Sequence, residues 1–526
     1  MIRPLLLLLA GVGAGGGGGP TPAPRPRLVV VITVDQLRPD YFDRYHTQLI
    51  SGLASLVKQG ADFTDAYQDH AVTETAPGHS TILSGRWPAH TGIVRNSAGV
   101  QDSTAPLLGV AGPGASPARF RGSTLFDWLK AAEPGARALS VSRKDRGAIL
   151  PIGRAKQQVY WYQAGLFTTS RYYADSLPGW VREFNARRIP FRAAGRPWTL
   201  LLPERDYPEP DSVPYENGGQ DLTFPHRLPA DSGLAAVALA GIPTMDSLTL
   251  AFALEGVRAL QLGGRGATDL LAVSLSTTDA VGHAYGPDSR EIHDQVVRLD
   301  RYLGWFLQQL FVRYGTENVL VVLTADHGVT PFPERSRALG HRGAVRVIPD
   351  SIIRNVNAAL DQRAGGADWL QFDTGMLLLP DRATLAAQGV DVDSVIANLA
   401  VRLRAVPGVA RVDRPADLAR RDTTDAVVRR WVHQVPPGAG VELVVTLKPY
   451  SIWTYENLPA IAMHGQPSEL DARVPLILRG RGVKRGVYHG RVSTVDIAPT
   501  LARLLGLTPA EPVDGRVLAE ALDEKP

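Results

Sequence analysis

Six side chains spread between residues 35 and 464 are of the types that hold a hard divalent cation. They are Asp35, Asp279, His283, Asp326, His327 and His464. Asp279 and His283 stand four residues apart, Asp326 and His327 are adjacent and precede Gly328, and His464 precedes Gly465. Three carboxylates and three imidazoles suit two zinc-like sites, because zinc takes imidazole nitrogen and carboxylate oxygen, about four ligands to each ion. A lone histidine is ordinarily a surface or capped residue, and a lone aspartate after a strand a turn former. The ordered set is what points to metal chemistry. Glu74-Thr75-Ala76-Pro77-Gly78-His79 adds a hydroxyl at the start of a helix, where backbone N–H groups and the helix dipole favour an anion. Proline is tolerated in a first turn and glycine permits close approach. Taken alone, Thr75 reads as a helix cap, with Thr73 and Ser80 as competing hydroxyls; a zinc ion beside Thr75 would favour its alkoxide and make it a nucleophile. Asn96 and the pair Lys144/Arg146 offer donors for the non-bridging oxygens of a phosphoryl group. On an extended segment the two cations would face one side.

The elements that must position these groups follow from hydrophobic patterning. Arg27–Val34, Asp269–Leu275 and Asn318–Leu323 are short β-branched or apolar runs, the pattern of parallel strands buried on both faces. Each leads directly into acidic residues: Asp35, Asp279 and Asp326. Helical spacing runs from His46 to Lys58 and from Pro287 to Tyr314, the latter with a stripe of Ile292, Val296, Leu299, Leu303 and Leu307. A helix is expected to open near Pro77, a strand at Val474–Leu478 and a last helix at Asp496–Leu505. Alternating strands and helices predict an α/β fold with a central, mostly parallel sheet flanked by helices, and ligands gathering at the carboxyl ends of its strands. Two insertions are expected: a loop-rich one at about 151–245, covering the site, and an α+β lobe at about 345–440 that includes strand Gly375–Leu379 and helix Val392–Ala405.

The chain has 526 residues, 44% hydrophobic and 21% charged, which excludes wholesale disorder. Its formal net charge of +4 makes no case for nucleic acid. It contains no cysteine, so disulfides, thiolate-ligated metals and cysteine nucleophiles, including that of most sulfatases, are excluded. Residues 1–27 read as a signal peptide followed by a flexible Gly/Pro tether, with an apolar run shorter than the ~20 residues a membrane span needs. The expected location is periplasmic or secreted, without stable membrane insertion.

The segments VVVITVDQLRPDY, TETAPGHSTILSG, KDRGAILP, STTDAVGHAYGP, LTADHG, MHGQP and STVDIAPTLARLLG, with the region of Asn96, resemble the alkaline phosphatase superfamily. Within it the chain is similar to the phosphate-irrepressible (PafA-type) alkaline phosphatases and to the nucleotide pyrophosphatase/phosphodiesterases. The likeness runs from residue 28 to about 506, leaving residues 28–526 as one catalytic domain of alkaline-phosphatase-like sandwich fold. It implies two zinc ions, one held by Asp279, His283 and His464, the other by Asp35, Asp326, His327 and the Thr75 oxygen. It implies Thr75 as the nucleophile of a phosphate monoester hydrolase working through a covalent phosphothreonine, with Asn96, Lys144 and Arg146 on the phosphoryl oxygens. No counterpart of the magnesium site of other alkaline phosphatases is found, and Lys144 stands ready to do its electrostatic work. The expected partners are small-molecule phosphate monoesters, and the expected state is monomeric. A phosphodiesterase on the same scaffold is the alternative, and a secreted, non-catalytic phosphate-ester-binding protein a distant one.

Overall fold

The computed structural model describes residues 25–366, 368–456 and 461–523. Apart from residues 25–27, the expected signal peptide and tether lie outside the described residues. The central strand is β1 (Leu28–Val34), every residue of which is buried. Leu28, Val30, Ile32 and Val34 enter one core, and Val29 and Val31 enter the core on the opposite face. This is the period-2 alternation of a strand covered on both sides, and it explains why the sequence reads as an unbroken apolar run.

The other strands of this sheet are β2 (Ala61–Tyr67), β3 (Ala138–Ser142), β4 (Gln158–Gln163), β5 (Leu166–Thr168), β6 (Asp269–Leu275), β7 (Val319–Thr324), β8 (Arg473–Arg479), β9 (Gly486–Tyr488) and β10 (Val492–Ser493). Their order is β9-β2-β8-β7-β1-β6-β3-β4-β5, with β10 also on β2. From β7 to β4 every pairing is parallel; β8 runs antiparallel to both its neighbours. The expected α/β architecture is borne out. The carboxyl ends of β7, β1, β6 and β3 stand side by side, and each opens into residues of interest: Asp326, Asp35, Ser276–Asp279 and Lys144.

Several boundaries differ from the expected ones for physical reasons. The helix expected over 46–58 is α1 (Gly52–Gln59), preceded by a separate turn of helix at Asp40–Arg44. Its start is set by Asp300, whose buried carboxylate accepts N–H bonds from Ile50, Ser51, Leu53 and Ala54 at 2.8–3.3 Å. That cap comes from 250 residues away and leaves no local signature. The helix expected to open near Pro77 is α2 (Thr75–Ile82), which begins at Thr75 itself. A short helix α3 (Asp145–Ile149) follows β3, and α4 (Thr277–Tyr285) follows β6. The long helix α5 (Arg290–Tyr314) starts three residues later than expected, because the Ser289 hydroxyl accepts the Ile292 N–H as its cap. Its predicted stripe is buried against the sheet.

The segment 151–245 is not all loop: β4 and β5 extend the main sheet, and their aromatic residues Tyr160, Tyr162 and Phe167 are core. The α+β lobe is a four-stranded sheet of Gln371–Asp373, Met376–Leu378, Val441–Leu447 and Val409–Asp413, so it reaches beyond residue 440. Among the described residues, no single helix is long and apolar enough to cross a membrane.

Candidate active site

The ends of β7, β1 and β6 and the loop carrying His464 bring the sequence-predicted ligands into one largely buried cluster. Asp279 sits in the first turn of α4, and His283 follows one turn later on the same face. Its Nε2 lies 3.2 Å from Asp279 Oδ1, and His464 Nε2 lies 3.1 Å from His283 Nε2. On the other side, His327 Nε2 lies 3.4 Å from Asp35 Oδ1 and 3.6 Å from Asp326 Oδ2. Asp279/His283/His464 and Asp35/Asp279/His327 each have ligand atoms within 4.8 Å of one another.

Each imidazole is oriented by a backbone carbonyl. His283 Nδ1 bonds Ala462 O at 2.6 Å, His464 Nδ1 bonds Thr73 O at 2.7 Å, and His327 Nδ1 bonds Gly328 O at 2.9 Å. A carbonyl can only accept, so Nδ1 carries the proton and, in the neutral ring, Nε2 presents a lone pair. The cluster is therefore a set of acceptors facing acceptors. His283 Nε2 and His464 Nε2 face each other at 3.1 Å, and among the described residues the buried Asp35 Oδ1 and His327 Nε2 have no hydrogen-bond partner. Such an array is costly unless a cation fills it. The residues fit a metal, and the arrangement implies one.

One cation is built into the chain. Lys144 Nζ lies 2.6 Å from Asp35 Oδ2, 2.8 Å from Asp279 Oδ2 and 3.1 Å from Thr75 Oγ1. Burial raises the Asp35 carboxyl above the ordinary range, and Asp279 and Asp326 push it further, against Lys144. Burial acts on Asp279 too, but Lys144 and then His283 hold it well below the ordinary range. His327 is lowered by burial and by His464, whereas Asp279 lifts His464 despite its burial. At neutral pH the cluster thus keeps Asp279 ionised and His327 neutral, the forms a metal needs.

Thr75 lies at the first position of α2, whose residues are all buried. Gly78 lets this helix approach the end of β7: a Cβ there would stand 2.2 Å from the Asp326 carbonyl oxygen. Asn96 Oδ1 accepts the Ala76 N–H at 2.8 Å, which turns its NH2 group away to donate elsewhere. Arg146 departs from expectation. Lys144 is the last extended residue before α3 and Arg146 is already in that helix, so the pair does not sit on one extended segment. Arg146 lines a cleft of about 360 Å³ that adjoins the ligand cluster, with Arg143, Lys144, Trp161, Tyr162 and Gln163.

Two further residues belong to the site, His79 and Gln36. His79, one turn after Thr75, lies 2.9 Å from Thr75 O, 3.1 Å from Asp326 Oδ2 and 2.9 Å from Ser274 Oγ, tying α2 to β7 and β6. Its i+4 spacing from Thr75 was the available signal. Gln36 donates its backbone N–H to Asp326 and its side-chain amide to Asp279 at 3.2 and 3.1 Å. Nothing in its sequence context marks it.

A family model described as type I phosphodiesterase / nucleotide pyrophosphatase matches residues 29–346. The chain belongs to this family. This type I phosphodiesterase/nucleotide pyrophosphatase family member is 32% identical to alkaline phosphatase PhoK of a Sphingomonas species, over 93% of this chain and 90% of that protein. It is 30% identical to alkaline phosphatase PhoV of Synechococcus elongatus, over 94% of this chain and 92% of that one. The crystal structure of wild-type alkaline phosphatase PafA superposes with a TM-score of 0.87 at 28% identity, covering 96% of this chain and all (100%) of that one. The expected likeness to both branches, and the expected fold, are borne out.

Proposed function

We propose that the protein is a metal-dependent alkaline phosphatase that hydrolyses small-molecule phosphate monoesters through a phosphothreonine at Thr75. The observation that carries this reading is the contact of the Lys144 ammonium with Thr75 Oγ1, at the head of a helix and against two acidic strand ends. It is supported by near-full-length similarity to alkaline phosphatases.

Two zinc ions are the proposed cofactor, one on Asp279, His283 and His464 and the other on Asp35, Asp326, His327 and Thr75. When bound, zinc supplies Lewis acidity toward the nucleophile and leaving-group oxygens. The chain's own residues do the rest. Thr75 Oγ1 gives up its proton to solvent, Lys144 stabilises the negative charge left on it, and it attacks phosphorus as the bond to the alcohol breaks. The alcohol leaves with a proton from solvent, and water then cleaves the Thr75–phosphate bond, releasing inorganic phosphate and restoring the hydroxyl. The α2 N-terminus, the Asn96 NH2 group, Lys144 and Arg146 hold the phosphoryl oxygens. A monoester is a dianion and a diester a monoanion, so the two cations favour the monoester. The cleft beyond Arg146 gives the leaving group room without dedicated contacts, which suits broad specificity. The composition of residues 1–27 supports action in the periplasm or outside the cell, and the resemblance to PafA-type phosphatases supports a monomer.

The test is a paired rate comparison on the zinc-loaded protein, with an aryl phosphate monoester and its matching diester at mildly alkaline pH. A strong monoester preference that Arg146→Ala erodes is the expected result. A diester preference would replace this reading with the phosphodiesterase one.

A further inference from the structure

The turn joining Gln371–Asp373 to Met376–Leu378 carries an unusual residue. Asp373 pairs with Met376, so the loop has two residues, Thr374 and Gly375, with φ of 46° and 83°. Positive φ at both positions is the tight hairpin turn that prefers Asn-Gly. Gly375 obeys the rule. Thr374 breaks it, because a β-branched residue in the left-handed region is a steric outlier. Strain of this kind persists where surrounding contacts over-determine it.

The contacts that do so lead to the active site. The buried Thr374 donates its hydroxyl to Glu74 Oε1 at 2.7 Å, and its methyl lies where a side chain at Gly465, next to His464, would stand. Glu74, also buried, uses its second oxygen to accept the Asn96 N–H at 2.7 Å. Asn96 in turn accepts the Ala76 N–H at 2.8 Å, one residue from the nucleophile. The same turn holds the neighbouring loop through a hydrogen bond from Ser97 Oγ to Asp373. A relay of three hydrogen bonds thus runs from the lobe to the head of α2.

We propose that Thr374 is a positioning residue of the active site: its strained backbone places a hydroxyl that fixes Glu74, and Glu74 fixes Asn96 against the first turn of the nucleophile helix. The inference rests on the proposed role of Asn96 in holding the phosphoryl group. Without the hydroxyl, Glu74 Oε1 loses its neutral donor, the carboxylate is free to rotate, and the Asn96 N–H loses its acceptor. The strain and the function are thereby coupled: relieving one forfeits the other.

The test uses zinc-loaded full-length protein and four variants: Thr374→Gly, Thr374→Ser, Asn96→Ala and the double variant Asn96→Ala/Thr374→Gly. Glycine suits the left-handed turn and removes the hydroxyl. The expected result is an unchanged or raised Tm, by about 2–4 °C, with kcat/KM for an aryl phosphate monoester lowered about tenfold, as for loss of one oriented hydrogen bond. Thr374→Ser keeps the hydroxyl and restores most of the rate. In the Asn96→Ala background, Thr374→Gly has no further effect, since both act through one amide. A purely structural Thr374 would move stability and rate in the same direction. Thr374→Gly with kcat/KM within about twofold of the parent, or a tenfold loss that persists in the Asn96→Ala background, overturns the inference and leaves the phosphatase reading standing. Full activity in Asn96→Ala overturns the role given to Asn96, and this inference with it.

Discussion

Replacing Lys144 with methionine tests how the cluster balances its charge. Methionine matches the aliphatic stem, so the change removes charge and hydrogen bonds while largely sparing packing. In the metal-free protein the ammonium contacts Asp35 and Asp279 at 2.6 and 2.8 Å, in a pocket that leaves both carboxylates buried. Removing one partner from a buried ion pair costs about 3–5 kcal/mol, because the remaining charge is left uncompensated. Chelator-treated Lys144→Met is therefore expected to unfold at clearly lower denaturant than the chelator-treated parent, by an amount equivalent to about 3–5 kcal/mol. Zinc-loaded Lys144→Met should recover much of that deficit, since the metal provides the missing positive charge. The catalytic loss should remain, because the 3.1 Å contact to Thr75 Oγ1 is not replaced. A charge-assisted hydrogen bond is worth about 1.5–3 kcal/mol, which corresponds to a ~10- to 100-fold lower kcat/KM on a phosphate monoester. The assay is guanidinium unfolding with chelator and with zinc, paired with steady-state rates. Equal stability of the two chelator-treated proteins would refute the view that Lys144 neutralises the carboxylates.

Two further outcomes follow from the packing. Gly78→Ala would push a methyl to 2.2 Å from the Asp326 carbonyl oxygen and 2.8 Å from its Cβ, both on the strand end that α2 must approach. Since backbone cannot yield as a side chain can, it should cost about 1–3 kcal/mol and lower bound zinc per chain, measured by unfolding and metal analysis. His70, buried between Gln434 and Gln68, has its pKa pushed down by burial to about 3. Its folded value lies below the unfolded one of 6.5, so the unfolded chain binds the extra proton, and stability falls as pH drops from 6.5 toward 3. Between pH 6.5 and 4.5 the parent should lose on the order of 2 kcal/mol more than His70→Gln, read from unfolding midpoints at each pH; parallel pH profiles would refute this.

The sequence by itself determined the parts whose causes are local. β1, β6 and β7 are legible because strands buried on both faces must be apolar throughout, and α5 because its apolar residues recur at the helical period. Asp35, Asp279 and Asp326 could be named because they follow those strands, and the carboxyl edge of a parallel sheet is where such residues converge. The tertiary structure decided whatever depends on partners distant in the chain. Asp300 sets the start of α1 from the neighbouring helix α5, and Lys144 reaches the cluster from the last extended residue before α3, while Arg146 lines the adjoining cleft from within that helix. Gln36 matters only because β1 lies between β6 and β7. Thr374 reads as an ordinary lobe residue until the fold sets it against Glu74, 300 positions earlier. Local sequence encodes propensity and periodicity, but a hydrogen bond across such a separation exists only once the chain has closed.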